Sequence, residues 1–343
     1  MENEDLIGIF EIAKLAGVGA SAVANWRTRS QDFPRPVVEL KSGPVFRRHE
    51  IRRWLKRRRK QVANVIATIN LKGGVGKTTT TVALAEMLST EFHQKVLVID
   101  LDPQTNATIM LIGETKWEEL NSKGLTLARL FQDALDEKHE FDLDSTLQRK
   151  VSNVRDVRSV DLLPSSLDLI DVQDRLASVP PGRFYANNPV DLLRKATKPI
   201  IEDYDYVLID CPPNMGIITL NGLRIAQGYI IPTIPDILST YGIPQIVKRV
   251  KDFSTSIVEQ IEPFGIVICK YQAQVGLHVD TIRRLRQNRK DAPVFDTVIP
   301  QSGHISEAAE FAPVGTLRQK YGYQGQFEAY RDLAAEFKRR VEA

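Results

Sequence analysis

Residues 69–80 read Ile-Asn-Leu-Lys-Gly-Gly-Val-Gly-Lys-Thr-Thr-Thr, and the order of glycines and lysines in this stretch decides the fold. A phosphate-binding loop has the form G-x-x-x-x-G-K-[ST]: backbone amides cradle phosphates, the lysine reaches the β/γ oxygens, and the hydroxyl holds Mg²⁺. Gly76-Lys77-Thr78 supplies the end of that pattern. Leu71 stands where the first glycine belongs, and a second lysine, Lys72, opens the glycine run. From the start of the loop, Lys72 is poorly placed for the terminal phosphate of its own nucleotide. It is better placed for one held by a facing subunit. The loop therefore predicts a nucleotide and a dimer together.

Short apolar runs flank the loop and continue down the chain. They are Val65–Ile69, Lys95–Asp100, Val160–Pro164, Tyr206–Asp210, Gly228–Pro232, Gly265–Cys269 and Phe295–Ile299, separated by helical stretches. Runs rich in Val, Ile and Leu without alternation predict strands buried on both faces, as in a parallel sheet covered by helices. The predicted class is α/β, a P-loop NTPase with a mostly parallel sheet between helical layers. Residues 113–158 are polar and charged, and predict surface helices and loops.

Two carboxylate motifs follow the loop, each at the C-terminal end of a predicted strand, where open α/β sheets place ligands. Asp100-Leu101-Asp102-Pro103-Gln104 puts two acids one residue apart, within reach of Mg²⁺ or an attacking water. Val207-Leu208-Ile209-Asp210 has the form of a Walker B strand. A single Asp at a strand end is usually a turn or cap residue; two such strands downstream of a P-loop favour the metal reading.

With these motifs in this order, the chain resembles the ParA/MinD family of deviant Walker-A ATPases, and ParA most. The resemblance rests on Lys72-Gly73-Gly74-Val75-Gly76-Lys77-Thr78-Thr79, Asp100–Gln104 followed by Asn106-Ala107-Thr108, and Ile209-Asp210-Cys211-Pro212-Pro213. Val298-Ile299-Pro300 and Glu307-Ala308-Ala309 extend it, so that it spans residues 65 to about 312. It implies ATP and Mg²⁺ as cofactors, with residues 72–79 on the nucleotide and Lys72 on the partner subunit's ATP in a homodimer. It further implies Lys77 on the β/γ phosphates, Thr78 on Mg²⁺, Asp210 on Mg²⁺ through water, and Asp100 as a second metal-side carboxylate. Asp102 would position the attacking water, and Pro300 would line the adenine. One segment departs from the family: Pro235-Asp236-Ile237-Leu238-Ser239-Thr240-Tyr241-Gly242 replaces a Gln-Ala-Glu-type sequence. Interface roles do not carry over to it directly.

The charge is unevenly distributed. Residues 1–60 hold 14 Lys/Arg against 7 Asp/Glu, while the remainder holds 32 against 36. A basic head on a mildly acidic body predicts a polyanionic partner. The head reads as helix, turn, helix, hairpin, helix, and resembles a winged helix-turn-helix of the MerR or excisionase-like kind over residues 1–60. A short linker, 61–64, and an ATPase domain, 65–343, complete the predicted organisation. Ser21, Asn25, Arg27 and Arg29 lie on or just after the second helix, the one expected to enter the major groove. Arg47, Arg48, Arg57, Arg58, Arg59 and Lys60 are expected on phosphates. Trp26 and Trp54 are expected in the head's core. A second basic run, with Arg283, Arg284 and Arg286, is a candidate for non-specific DNA binding by the dimer.

Composition sets the remaining bounds. The 343 residues are 43% hydrophobic and 26% charged, as in an ordinary globular protein. No apolar run approaches the ~18–20 residues of a membrane span. The acidic start, Met-Glu-Asn-Glu-Asp, has no signal-peptide character. Two cysteines, Cys211 and Cys269, cannot form a disulfide framework and suit a reducing cytosol; the place of Cys211 inside the Walker B motif disfavours an iron–sulfur reductase, which needs paired cysteine ligands from each subunit. The last helix, near 326–341, is expected to pack on the body rather than enter a membrane.

Three functions remain open on these grounds. The first is a nucleoid-associated partition ATPase with a ParB-like centromere-binding partner, weak alone and stimulated by partner and DNA, that also represses its own operon. The second is a repressor with a nucleotide-switched body, and the third an ATPase that positions a non-DNA cargo.

Overall fold

The computed structural model describes residues 6–16, 20–29, 33–40, 43–58, 63–178, 188–288 and 291–343. Within these, the side chains of 16, 21, 22, 25, 28, 29, 53 and 55–58 are not described. The chain divides into two compact units, Met1–Val62 and Ala63–Ala343.

In the first unit, strands β1 (Leu6–Ile7), β2 (Val38–Leu40) and β3 (Gly43–Arg47) form an antiparallel sheet in the order β1-β3-β2. Three helices accompany it, Ile9–Ala16, Ala20–Arg29 and Arg48–Arg58. So small a unit cannot bury a large aliphatic core, and aromatic rings supply the area. Phe33 packs edge-on against Trp54 at 4.6 Å and Phe46 at 5.4 Å. Trp26 lies 5.6 Å from Trp54, and Ile7, Ile12 and Ile51 close the cluster. Sequence reading missed β1, because two residues carry no readable alternation.

The second unit is built on seven parallel strands. They are β4 (Asn64–Thr68), β5 (Val96–Asp100), β6 (Val160–Leu163), β7 (Tyr206–Asp210), β8 (Gly228–Thr233), β9 (Glu262–Tyr271) and β10 (Val294–Pro300). Their order is β10-β9-β8-β4-β7-β5-β6. Successive side chains serve opposite faces. Val65, Ala67, Leu97, Ile99, Val207 and Ile209 enter one core, and Ile66, Val96, Val98, Tyr206 and Leu208 enter the other. Both faces are covered, which is why these strands read as unbroken apolar runs. The unit begins two residues before the predicted boundary. Ala63 is buried in the core, and Asn64 already pairs with Tyr206.

The helices Lys77–Glu91 and Gln326–Val341 cover one face, the latter through Leu333, Ala334 and Phe337. On that face Glu86 is fully buried and accepts from Lys320 Nζ at 2.8 Å, Ser152 Oγ at 2.7 Å and the Tyr321 hydroxyl at 2.7 Å. Lys320 also donates to Asn153 Oδ1 at 2.8 Å, so the buried ammonium and carboxylate are each held by further polar groups.

Residues 113–158 correct the expectation of a surface segment. The helices Glu114–Ser122 and Leu127–Asp136 form there, but Leu127, Ala128 and Phe131 enter one core and Val151, Val154 and Val157 enter the other. Their charges line the outer faces, and these obscured the inner stripe in the sequence.

Candidate functional site

Register places the chemistry. Thr68 of β4 and Asp100 of β5 both sit opposite Asp210 of β7, so three strands end in one row with polar side chains. The loop 71–76 leaves β4 immediately above that row. Asn70, itself buried, fixes its start: Nδ2 donates to the Pro232 carbonyl at 2.8 Å and Oδ1 accepts the Lys72 amide at 2.9 Å. Gly74 (φ 72°) and Gly76 (φ 97°) take left-handed backbone, which strains any residue with a Cβ. Gly76 is doubly constrained, because a Cβ there would stand 3.3 Å from the Cys269 Cβ.

Helix Lys77–Glu91 starts on Gly76, and no side chain caps its first amides. Those amides and the positive end of the helix favour an anion at the loop. Lys77 is buried, and its Nζ curls back to donate to the Lys72 carbonyl at 3.3 Å. Thr78 Oγ donates to Asp210 Oδ2 at 2.7 Å, and Thr81 Oγ lies 2.9 Å from Thr68 Oγ and 3.4 Å from Asp210 Oδ1.

Burial pushes the Asp210 carboxyl up to about 7, with the Thr78 bond opposing and the charge of Asp102 adding. Asp100 lies well above the usual carboxylate range, through burial first and the neighbouring Asp210 second. Thr78 and Asp210 offer hard oxygen donors beside an excess of negative charge, a combination that fits a small divalent cation. Asp100 itself is fully buried, and its oxygens accept from the Thr108 amide (2.9 Å) and hydroxyl (2.7 Å) and from the Asp102 amide (3.1 Å). Its observed contacts thus shape the turn that carries Asp102.

A cavity of about 290 Å³ opens above this row, lined by Gly73, Gly74, Lys77, Thr78, Asp102 and Lys270 among others. A second, of about 100 Å³, adjoins it and is walled by Cys269, Pro300, Ser302 and Tyr330. Gly76, Thr79 and Lys270 line both. The structure thus gathers Gly73, Gly74, Gly76, Lys77, Thr78, Thr79 and Asp102 around one cavity and Pro300 beside the next. Val75 is fully buried beneath the loop.

Lys72 points elsewhere. Its Nζ donates to Ser239 Oγ at 2.8 Å and lies 3.7 Å from Asp236. Both partners belong to the segment that departs from the family pattern.

Three comparisons bear on this geometry. Residues 63–262 match the AAA domain family. An uncharacterised protein of Pseudomonas putida is 32% identical over 81% of this chain and 96% of its own. The chromosome-partitioning ATPase Soj of Thermus thermophilus is 30% identical over 81% of this chain and 96% of its own. The chain belongs to the ParA-type P-loop ATPases. Among solved structures, cobyrinic acid a,c-diamide synthase of Mycobacterium smegmatis with a bound ATP analogue and magnesium superposes with a TM-score of 0.62 at 25% identity. That match covers 82% of this ATPase and 97% of the synthase.

The basic residues of this ATPase are distributed differently from the loop residues. A cavity of about 500 Å³ lies between helix Gly276–Gln287 and β10, lined by Arg283 and Arg286 with Tyr271, Ile282 and Val298. It holds neither the loop nor Asp100, Asp102 and Asp210. Arg283 pairs with Asp280 at 3.1 Å, Arg284 donates to Thr281 Oγ at 3.1 Å, and Arg286 donates to the Asp296 carbonyl at 2.9 Å. Arg286 therefore ties its helix to β10. In the small unit Arg27 pairs with Glu39, Arg47 lies 3.7 Å from Glu50, and Arg48 is half-buried. The side chains of Ser21, Asn25, Arg29, Arg57 and Arg58, and residues Arg59 and Lys60, lie outside the described residues. Among the described residues no helix is long and apolar enough to cross a membrane.

Sequence reasoning missed Asn70, Asp236, Ser239 and Lys270. Lys270 is the penultimate residue of β9 and directly follows the apolar run 265–269, so the strand-end rule that found the aspartates would have found it.

Proposed function

We propose that this protein is a DNA-partitioning ATPase. ATP binding and pairing of two subunits would be one event, and pairing would set how the protein holds DNA. The observation that carries this reading is the loop itself: Lys77 curls over it from within, while Lys72 stands outside the phosphate cavity on the same loop. One lysine serves its own subunit's nucleotide, and the other is available to a partner's.

Phosphoryl transfer to water needs positioning and charge neutralisation more than covalent chemistry. Lys77 and the loop amides hold the β/γ phosphates. Thr78 and Asp210 would hold Mg²⁺, which supplies further charge neutralisation on the phosphate oxygens. Asp102, at the cavity wall, orients the attacking water, and its place is fixed by the Gln104 amide at 3.0 Å and by Ser165 Oγ on its own carbonyl at 2.7 Å. Lys72 completes the charge balance only from a facing subunit, so turnover is slow until two subunits close. Asp100 as a metal-side carboxylate belongs to the same reading, acting through the turn it holds.

The first unit is read as a winged helix-turn-helix, with helix Ala20–Arg29 as the groove-entering element and β2–β3 as the wing. Its basic surplus supports duplex DNA as its partner. The protein would then work on the nucleoid in the cytoplasm, with a ParB-like protein stimulating hydrolysis and the head repressing the operon. Soj of Thermus thermophilus and the chromosome-partitioning protein ParA of Myxococcus xanthus, 26% identical over 73% of the chain, carry partition in their names. A repressor with a nucleotide-switched body is the second reading, favoured by the separate basic unit.

Footprinting on the DNA upstream of the gene and on unrelated duplex, each with ADP, ATP and no nucleotide, tests both. Partition requires ATP-dependent coverage of unrelated duplex. Protection confined to the upstream site under all three conditions would overturn it in favour of the repressor.

A further inference from the structure

Lys270 is a third lysine at the nucleotide site, and the family motifs do not include it. It lies within β9 at φ 53°, left-handed backbone that strains a residue with a Cβ. Its Nζ donates to the Gly74 carbonyl at 2.8 Å. Among the described residues it has no carboxylate partner, and it is exposed at the mouth of the site. It is also one of three residues that line both the phosphate cavity and the pocket beside Pro300. The backbone after it is fixed on that pocket's wall, because the Gln301 amide donates to the Tyr271 carbonyl at 2.9 Å and the Gln272 and Gln301 side chains bond to each other.

With the phosphate tail assigned to the first cavity and the nucleoside to the pocket beside Pro300, a cation at their border would face the junction between the two. We propose that Lys270 is a positioning residue for nucleoside di- and triphosphates, acting at that junction. It holds the loop open through the Gly74 carbonyl and neutralises the phosphate nearest the sugar. The inference rests on the nucleotide-site reading above and deepens it. Because the junction is common to ADP and ATP, Lys270 contributes equally to both. Lys77, by contrast, serves the β/γ end.

The test uses full-length protein with fluorescent ADP and ATP analogues, and three variants. Lys270→Met removes the ammonium and keeps the stem. Lys270→Gly removes it while relieving the left-handed backbone, so a loss there cannot be blamed on strain. Lys270→Arg retains the charge. The Met and Gly variants are expected to weaken ADP and ATP alike by about tenfold or more, the scale of a charged hydrogen bond. Arg recovers most of the affinity. Unchanged affinity in both Met and Gly would overturn the inference, as would a loss confined to ATP or an Arg variant as weak as Met. Wild-type protein that binds neither nucleotide would instead overturn the nucleotide-site reading itself.

Discussion

Lys72 donates its ammonium hydrogen to Ser239 Oγ at 2.8 Å within a single subunit, and Asp236 holds both from beneath. The Asp236 carboxylate accepts from the Ser239 amide at 2.6 Å and hydroxyl at 2.8 Å, and lies 3.7 Å from Lys72 Nζ. It caps the short helix Ile237–Tyr241, from which Ile237, Leu238 and Tyr241 project into solvent. A lysine proposed to act across a subunit boundary is thus parked on its own chain. Leaving Ser239 costs little, because the contact is partly exposed and worth ~1 kcal/mol or less.

The first prediction follows from that small cost. Ser239→Ala should leave nucleotide affinity unchanged and lower the protein concentration for ATP-dependent dimerisation by about two- to fivefold. Lys72→Ala should still bind ATP but lose pairing and hydrolysis. Sedimentation with ADP and ATP measures both. A Ser239→Ala protein that pairs no more readily would show that the contact has no hold on Lys72.

Asp102 and Asp210 should separate in their effects. Asp102→Ala keeps the loop, Lys77 and Thr78, so ATP binding and pairing persist while single-turnover hydrolysis falls by about 10²–10⁴-fold. Asp210→Asn removes a carboxylate from a buried cluster that already holds Asp100 and Asp102, and keeps an oxygen for Thr78. Without nucleotide or metal it should be more stable than wild type by about 1–2 kcal/mol, through relieved repulsion and desolvation, yet show no magnesium-dependent hydrolysis. Thermal unfolding in EDTA checks the first half, and a lower melting point would contradict it.

Much of this was legible in the sequence, and most of the exceptions share a cause. The central strands announce themselves because both of their faces are buried, so nothing polar interrupts Val207–Ile209 or Val96–Ile99. The loop and the two aspartate strands are likewise local patterns whose residues are neighbours in the chain. Lys72 with Ser239, Lys270 with Gly74 and Glu86 with Lys320 are not. Each pair is separated by 167 or more positions: the parallel sheet brings the first two together at its loop edge, and helix packing on one face joins the third. Residues 113–158 failed for another reason. Their apolar residues are spaced for two different cores, and charges on the outer face hid both stripes.

The buried pair of Glu86 and Lys320 should be costly to break and inexpensive to replace. Glu86→Ala leaves the Lys320 ammonium in the core without a carboxylate, held by Asn153 Oδ1 and the Tyr321 ring, and takes the acceptor from the Ser152 and Tyr321 hydroxyl hydrogens, a loss of about 3–5 kcal/mol. Glu86→Leu with Lys320→Met should recover most of that, since removing both charges removes the desolvation penalty. Urea unfolding of the three proteins decides it. A double variant no better than the single would mean that the hydroxyl bonds, not the ion pair, hold this end of the helix.

The proposed DNA binding by the head should respond to salt in a way that separates phosphate contacts from a solvated helix face. Residues 47–60 carry nine Lys/Arg against one acid, Glu50, and the pairing of Arg47 with that acid leaves the run strongly cationic. Each cation that neutralises a phosphate contributes about −0.9 to the slope of log K against log salt. Replacing Arg57, Arg58, Arg59 and Lys60 with Gln should therefore flatten the slope by about 0.9 for each phosphate no longer neutralised, and weaken all duplexes alike. Arg27→Gln should act differently, because Arg27 lies on the predicted groove-entering helix and is braced by Glu39 on β2: it should relax preference among sequences by about 1–3 kcal/mol at one base position. Fluorescence anisotropy on operator and scrambled duplexes across a salt series measures both. An unchanged slope in the four-residue variant would assign the basic run to the solvent.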